Sequence, residues 1–343
     1  MRGLAKKHVL WVLAAALMAG FLYWGRNDLR RVVSLDPLFV GVCFACTVGI
    51  AVTSALKWKF SLHSLGEHHA GHLGSLLYYF MMGRAVGLVI PMDVSDFGVR
   101  TMSLKFNHSI PIGKASYSVY LDRTFDVVIA GLFLIPSVLY IVGVVSPEAG
   151  LILFGAAFVL GLLCFLFFGS QTAAVLSFIF RFLFKAVCRI PWVGRRVEFE
   201  TEIEVLTSAD STTLTPKLYV LSSLKFFFTA MRFISIAAAM GIKLGAKDIL
   251  LFVPSAQFAA LFALTPGGLG VTDWSWSGLL YKIGLGKHEI VPYLISLRLV
   301  ISLSIVLIAV LSRLLYRKPY TAEEGVAQKD DSAENRSDHS RKE

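Results

Sequence analysis

Leu264-Thr265-Pro266-Gly267-Gly268-Leu269-Gly270-Val271-Thr272-Asp273 interrupts an apolar stretch that runs from Ile249 to Leu285. Proline lacks a backbone donor, and glycine adopts angles that side chains resist, so a regular helix does not run through these residues. In lipid the freed N–H and C=O groups find no water and need a protein-lined cavity. A second interruption sits in the apolar stretch Leu73 to Met92 and its continuation. It reads Gly83-Arg84-Ala85-Val86-Gly87-Leu88-Val89-Ile90-Pro91-Met92-Asp93-Val94-Ser95-Asp96-Phe97-Gly98-Val99-Arg100. Each proline has an arginine thirty-two residues beyond it, Pro91 with Arg123 and Pro266 with Arg298. Matched breaks in two halves of a membrane chain point to a transporter built from repeats, with its site where the broken segments meet.

The composition places the chain in a membrane before any motif is read, since 56% of the 343 residues are hydrophobic and 16% are charged. Such a chain has room for several spans of about 20 residues but not for an added soluble catalytic domain. In a soluble protein the net charge of +10 would suggest nucleic acid. Here the basic residues fall in short segments between apolar runs, which is how membrane orientation is encoded, so no nucleic acid is expected. Cys43 and Cys46 lie within an apolar run and read as buried small residues rather than a redox or metal pair.

Six full spans are expected: Val9 to Trp24, Pro37 to Leu56, Val127 to Val145, Gly150 to Gly169, Leu218 to Met240 and Val291 to Leu315. The first lacks a small-x-small cleavage site at its end and reads as a retained span. The two interrupted regions, 73–113 and 246–286, are expected to be re-entrant, each entering and leaving on one side. That arrangement makes both termini cytoplasmic together with the basic segment 171–214, in keeping with the positive-inside rule. The hairpins then enter from opposite faces, as in an inverted repeat. The expected fold class is an all-α polytopic integral membrane protein of the plasma (bacterial inner) membrane. Residues 1–317 form one transmembrane domain, and 318–343 read as a disordered polar tail.

Within 171–214, Arg181, Lys185 and Arg189 share one helical face, while Phe178, Ile179, Phe182 and Leu183 cover much of the rest. Such a helix is expected to lie along the cytoplasmic leaflet with its cations on anionic headgroups.

Charges at membrane depth cost roughly 2.5–3.5 kcal/mol each on insertion scales, so they face one another or a wet cavity. The candidate site therefore gathers Arg84, Asp96, Arg100, Asp122, Arg123, Asp126, Gly267, Gly268, Gly270, Asp273 and Arg298. On one reading Asp96, Asp122, Asp126 and Asp273 neutralise Arg84, Arg100, Arg123 and Arg298, tying the hairpins to the bundle. On the other, some arginines and free backbone N–H groups at the broken ends hold the phosphate of a lipid headgroup. The two are compatible if an acid is released as the phosphate arrives. The glycines serve as the turn and leave amides free to approach a ligand.

These motifs resemble those of the lysylphosphatidylglycerol synthase transmembrane-region family. The likeness rests on the break at Pro91, the acid Asp96 with Arg100, Asp122-Arg123-x-x-Asp126, then Pro266-Gly267-Gly268-Leu269-Gly270-x-x-Asp273 and Arg298. It covers the chain from the first span to about Arg317. The family includes the lipid-flipping membrane half of two-part lipid-aminoacylating proteins and many stand-alone members. The resemblance therefore implies lipid translocation. The family usually has glycine before the first acid and glutamate at both acidic positions, where this chain has Ser95, Asp96 and Asp273. No aminoacyl-transfer domain follows the last span, so lysyl transfer is not carried over.

The expected substrate is a membrane phospholipid or a polyprenyl-linked or glycolipid molecule, with Arg123 and Arg298 as symmetry-related phosphate ligands and Asp96 and Asp273 as their switching partners. The expected class is a transporter rather than an enzyme. No cofactor or metal is expected, since the chain carries no P-loop or dinucleotide fingerprint, and the histidines 63, 68, 69 and 72 read as a solvated loop. Two other functions stay open: an intramembrane transferase with Asp96 or Asp122 as base, and a non-catalytic partner of an envelope-lipid or glycolipid synthesis enzyme. So does a homo-oligomer.

Overall fold

The computed structural model describes residues 34–68, 72–188, 208–261 and 265–316, together with Tyr23. Among the described residues there are ten α-helices. They are α1 (Pro37–His63), α2 (Leu73–Val86), α3 (Met92–His108), α4 (Ile112–Val142), α5 (Pro147–Phe167), α6 (Gly169–Cys188), α7 (Ser208–Ala239), α8 (Ala246–Ala260), α9 (Val271–Lys282) and α10 (Lys287–Leu314). A 3-10 turn, Pro266–Gly268, joins α8 to α9. Two starts are written locally: Asp36 caps the Leu38 N–H ahead of Pro37, and Ser146 caps the Ala149 N–H ahead of Pro147.

Five helices are long and apolar enough to cross a bilayer: α1, α4, α5, the Thr212–Ala239 part of α7, and α10. The chain is an all-α polytopic integral membrane protein. These helices match five of the six expected spans. All of the sixth, Val9 to Trp24, except Tyr23 lies outside the described residues, as do Arg189 and the tail. Three boundaries differ most from expectation, one being α7, which begins at Ser208 rather than Leu218. α4 begins at Ile112 rather than Val127, and α1 continues beyond Leu56 to His63. In α1 and α4 the buried or partly buried charges Lys57, Asp122 and Arg123 stay inside the helix because opposite charges on neighbouring helices compensate them.

Four helices are too short to cross alone. α2 and α3 have 14 and 17 residues, and α8 and α9 have 15 and 12. At about 1.5 Å per residue they measure ~21, ~26, ~23 and ~18 Å, against roughly 30 Å of hydrocarbon. α2 packs on α3 and α8 on α9. The halves also cross: α2 packs on α10, and α8 packs on α4. Each half therefore lays its first short helix against the long helix of the other.

The second break turns through Gly267, Gly268 and Gly270, at φ 57°, 68° and 81°. This left-handed region costs a residue with a Cβ roughly 1–2 kcal/mol. Gly267 also meets the first break, since a Cβ there would stand 3.5 Å from the Leu88 carbonyl oxygen. The largest apolar core surrounds α4, α5, α7 and α10, where Phe133 stacks on Phe154 at 3.8 Å between ring centres and meets Phe226 at 5.2 Å. Cys43 and Cys46 are buried free thiols.

α6 has two apolar faces. Ala173, Leu176 and Phe180 are buried, Phe180 lying 5.0 Å from the Tyr117 ring. Phe178 and Phe182 stand 71% and 67% exposed near Arg181 and Lys185.

Candidate functional site

Arg298 is the twelfth residue of α10, and it closes the second break upon itself. Its Nε lies 2.5 Å from Asp273 Oδ1, and Nη2 donates to Asp273 Oδ2 at 2.7 Å and to Thr272 Oγ1 at 2.8 Å. The same guanidinium donates to the carbonyls of Gly267 and Gly268, both at 3.2 Å. Asp273 in turn accepts the Gly270 N–H at 2.9 Å, and the Gly268 N–H goes to Thr265 O at 2.9 Å. The expectation of free glycine amides is thus corrected at 268 and 270. Asp273, three residues into α9, caps that helix and takes one of them, and the turn itself takes the other.

Arg123 is likewise the twelfth residue of its helix, α4. Its Nη2 is 2.5 Å from Asp96 Oδ2 and 3.3 Å from Asp93 Oδ1. From Asp96 the contacts run on. Arg100 Nη1 lies 3.5 Å from Asp96 and 2.6 Å from Asp122, and its guanidinium sits 4.2 Å from the centre of the Trp58 ring. Lys57 Nζ is 2.8 Å from Asp122 and 2.6 Å from Asp126, whose other oxygen is 2.5 Å from Lys225 Nζ. Four cations alternate with four carboxylates along this path. Lys57, Asp96, Arg100 and Asp122 at its centre are 0% exposed. Such a chain offsets the large cost of removing each charge from water, and breaking it leaves an uncompensated partner.

Ser95 donates to the carbonyls of Gly83 at 3.0 Å and Met92 at 2.8 Å, tying α3 back to α2. Gly83 is small for the same reason, because a Cβ there would lie 3.0 Å from Asp96 Oδ1.

A cavity of about 610 Å³ lies between the two breaks. Its wall includes Arg84, Met92, Asp93, Arg123 and Asp126 from the first half and Gly267, Gly268, Thr272, Asp273 and Arg298 from the second. Asp96, Arg100, Asp122 and Gly270 do not line it; they stand one layer behind. Phe97, Val127 and Leu261 line the cavity and are themselves 37%, 39% and 40% exposed.

Arg84 departs from the neutralised arrangement. Among the described residues no carboxylate pairs with it; Nη1 lies 2.7 Å from the Met92 sulfur, and the guanidinium is 5.2 Å from the Phe80 ring centre. Three further cations were not singled out from the sequence: Lys57, Lys225 and Arg232. Their signal was present, since each interrupts an apolar run, and an ionisable residue within a span is a site candidate by default.

The chain belongs to the lysylphosphatidylglycerol synthase TM region family, whose sequence profile matches residues 11–309. No curated protein and no solved structure matches it. Membership makes it a membrane protein of a family concerned with lipid-related processes.

Proposed function

We propose that the chain moves a phosphate-bearing lipid between the two leaflets, with the headgroup passing through the cavity and the acyl chains remaining in the bilayer. The observation that carries this reading is the cavity itself. Both broken segments contribute to one space of about 610 Å³, within the roughly 300–1,000 Å³ of ordinary ligand sites. Its wall combines a polar, cation-rich part with exposed apolar residues, Phe97, Val127 and Leu261, against which acyl chains can rest.

The helix pairs α2–α3 and α8–α9 act as re-entrant hairpins entering from opposite faces. Both termini are cytoplasmic, the membrane is the bacterial inner membrane, and α6 lies along its cytoplasmic leaflet with Arg181 and Lys185 on anionic lipid. Asp96 and Asp273 hold Arg123 and Arg298 until a phosphate competes for them. The transferase alternative finds less support, because Asp96 and Asp122 are fully buried, ion-paired and behind the cavity wall.

The test is transbilayer movement of fluorescent lipids in proteoliposomes, comparing the intact chain with Arg123→Ala and Arg298→Ala at matched, verified folding. Headgroup-dependent movement that falls at least tenfold in both variants is the expected result. Absence of movement with phospholipid, polyprenyl-phosphate and glycolipid probes alike would remove the translocation reading.

A further inference from the structure

The charges around the cavity do not cancel. Lys225, Lys57, Arg100 and Arg123 balance Asp126, Asp122, Asp96 and Asp93, and Arg298 is balanced by Asp273. The cavity-lining cations left over are Arg84 and Arg232. Neither pairs with a carboxylate among the described residues, and the Nε atom of each is buried without a hydrogen-bond partner there. The two face one cavity, where Arg84 is also within Coulombic reach of Asp93, Asp96 and Asp126, each already held by another cation. Two guanidinium groups of like charge on one partly apolar wall repel each other, and neither has a carboxylate at ion-pair distance to offset its loss of hydration. An anion in the cavity would relieve both.

We propose that Arg84 and Arg232 are the anion-binding pair of this cavity, and that the headgroup they receive carries at least two negative charges: a phosphate monoester or a diphosphate. The inference rests on reading the cavity as a lipid headgroup site. The guanidinium fork matches phosphate oxygens two at a time. A phosphodiester headgroup with a single negative charge leaves one of the two cations uncompensated. A phosphate monoester, with about 1.5 to 2 negative charges near pH 7, does not. Arg123 and Arg298, neutralised by Asp96 and Asp273 at rest, contribute donors to the phosphate only once those acids are displaced.

The experiment is native mass spectrometry of the full chain in zwitterionic detergent, titrated with phosphatidate, a prenyl diphosphate, phosphatidylglycerol and phosphatidylcholine. Phosphatidate and the diphosphate are expected to bind at least tenfold more tightly than phosphatidylglycerol. Arg84→Gln and Arg232→Gln should each erase that preference, whereas Lys247→Gln, at the exposed pair with Glu148, should keep it. Neutralising a repelling cation should also raise the melting temperature of the lipid-free chain, which loss of a structural contact would lower. Arg84→Lys and Arg232→Lys keep the charge, so they should retain part of the preference if the glutamine variants fail to fold.

Equal binding of phosphatidylglycerol and phosphatidate, or a preference that survives in folded glutamine variants, would overturn the proposal. Inorganic pyrophosphate displacing the lipid at equal concentration would assign the pair to soluble anions and overturn its lipid form. Charge-selective binding without transbilayer movement would sustain the pair while removing translocation, and movement indifferent to headgroup charge would do the reverse.

Discussion

The two breaks share a plan and differ in wiring. In each, an arginine at the twelfth position of a long helix reaches an acid on the preceding short helix, Arg123 to Asp96 and Arg298 to Asp273. Arg298 spends its donors on its own turn, touching Gly267, Gly268, Thr272 and Asp273. Arg123 instead begins an alternating path that crosses α3, α4, α1 and α7. The same spacing therefore produces a local clamp in one half and a bundle-wide tie in the other. A glycine turn has few side chains of its own and needs an outside group to fix it. The first break has Ser95 bonded to Gly83 O, which frees Arg123 to reach elsewhere.

Substitutions can separate these roles. Asp122→Asn should have the largest effect, because it deprives both Lys57 and Arg100 of a buried partner. A loss of about 3–5 kcal/mol is expected, read as a fall in denaturant midpoint and in folded yield from several helices at once. Arg298→Gln should lose less, about 1.5–3 kcal/mol for a charged hydrogen-bonded group that is partly exposed. Hydrogen exchange should show its loosening confined to residues 265–273. If it instead spread to α1 and α7, the contrast between clamp and tie would fail. Gly267→Ala should cost about 1–2 kcal/mol through its left-handed backbone alone, since the added Cβ would sit at ordinary contact distance from Leu88 O. A thermal shift much beyond that would mean the two breaks press on each other more tightly than the geometry indicates.

Much of this was legible in the residues. Proline, glycine and charge inside apolar runs located both breaks, and the thirty-two-residue spacing identified Arg123 and Arg298. What escaped depends on tertiary arrangement. Lys57 and Lys225 look like isolated cations in separate helices, and only helix packing brings both to Asp126. The glycine amides were misjudged for a local reason. Gly270-x-x-Asp273 has the spacing of a helix cap, so the acid was already placed to take the amide that appeared free. Arg84 shows the opposite limit: the sequence offers it Asp93 and Asp96 nearby, yet the fold sends both to Arg123.

The balanced path from Lys225 to Asp93 has an electrical consequence. A string of four positive and four negative groups has no net charge, so moving it as a unit with α1, α3, α4 and α7 does no net work against a transmembrane voltage. Arg84 and Arg232 have no such shelter. A charge carried across the full field changes energy by about 2.3 kcal/mol per 100 mV. An anion carrying two charges would leave the filled cavity electrically silent, whereas the unfilled cavity would still respond to the voltage.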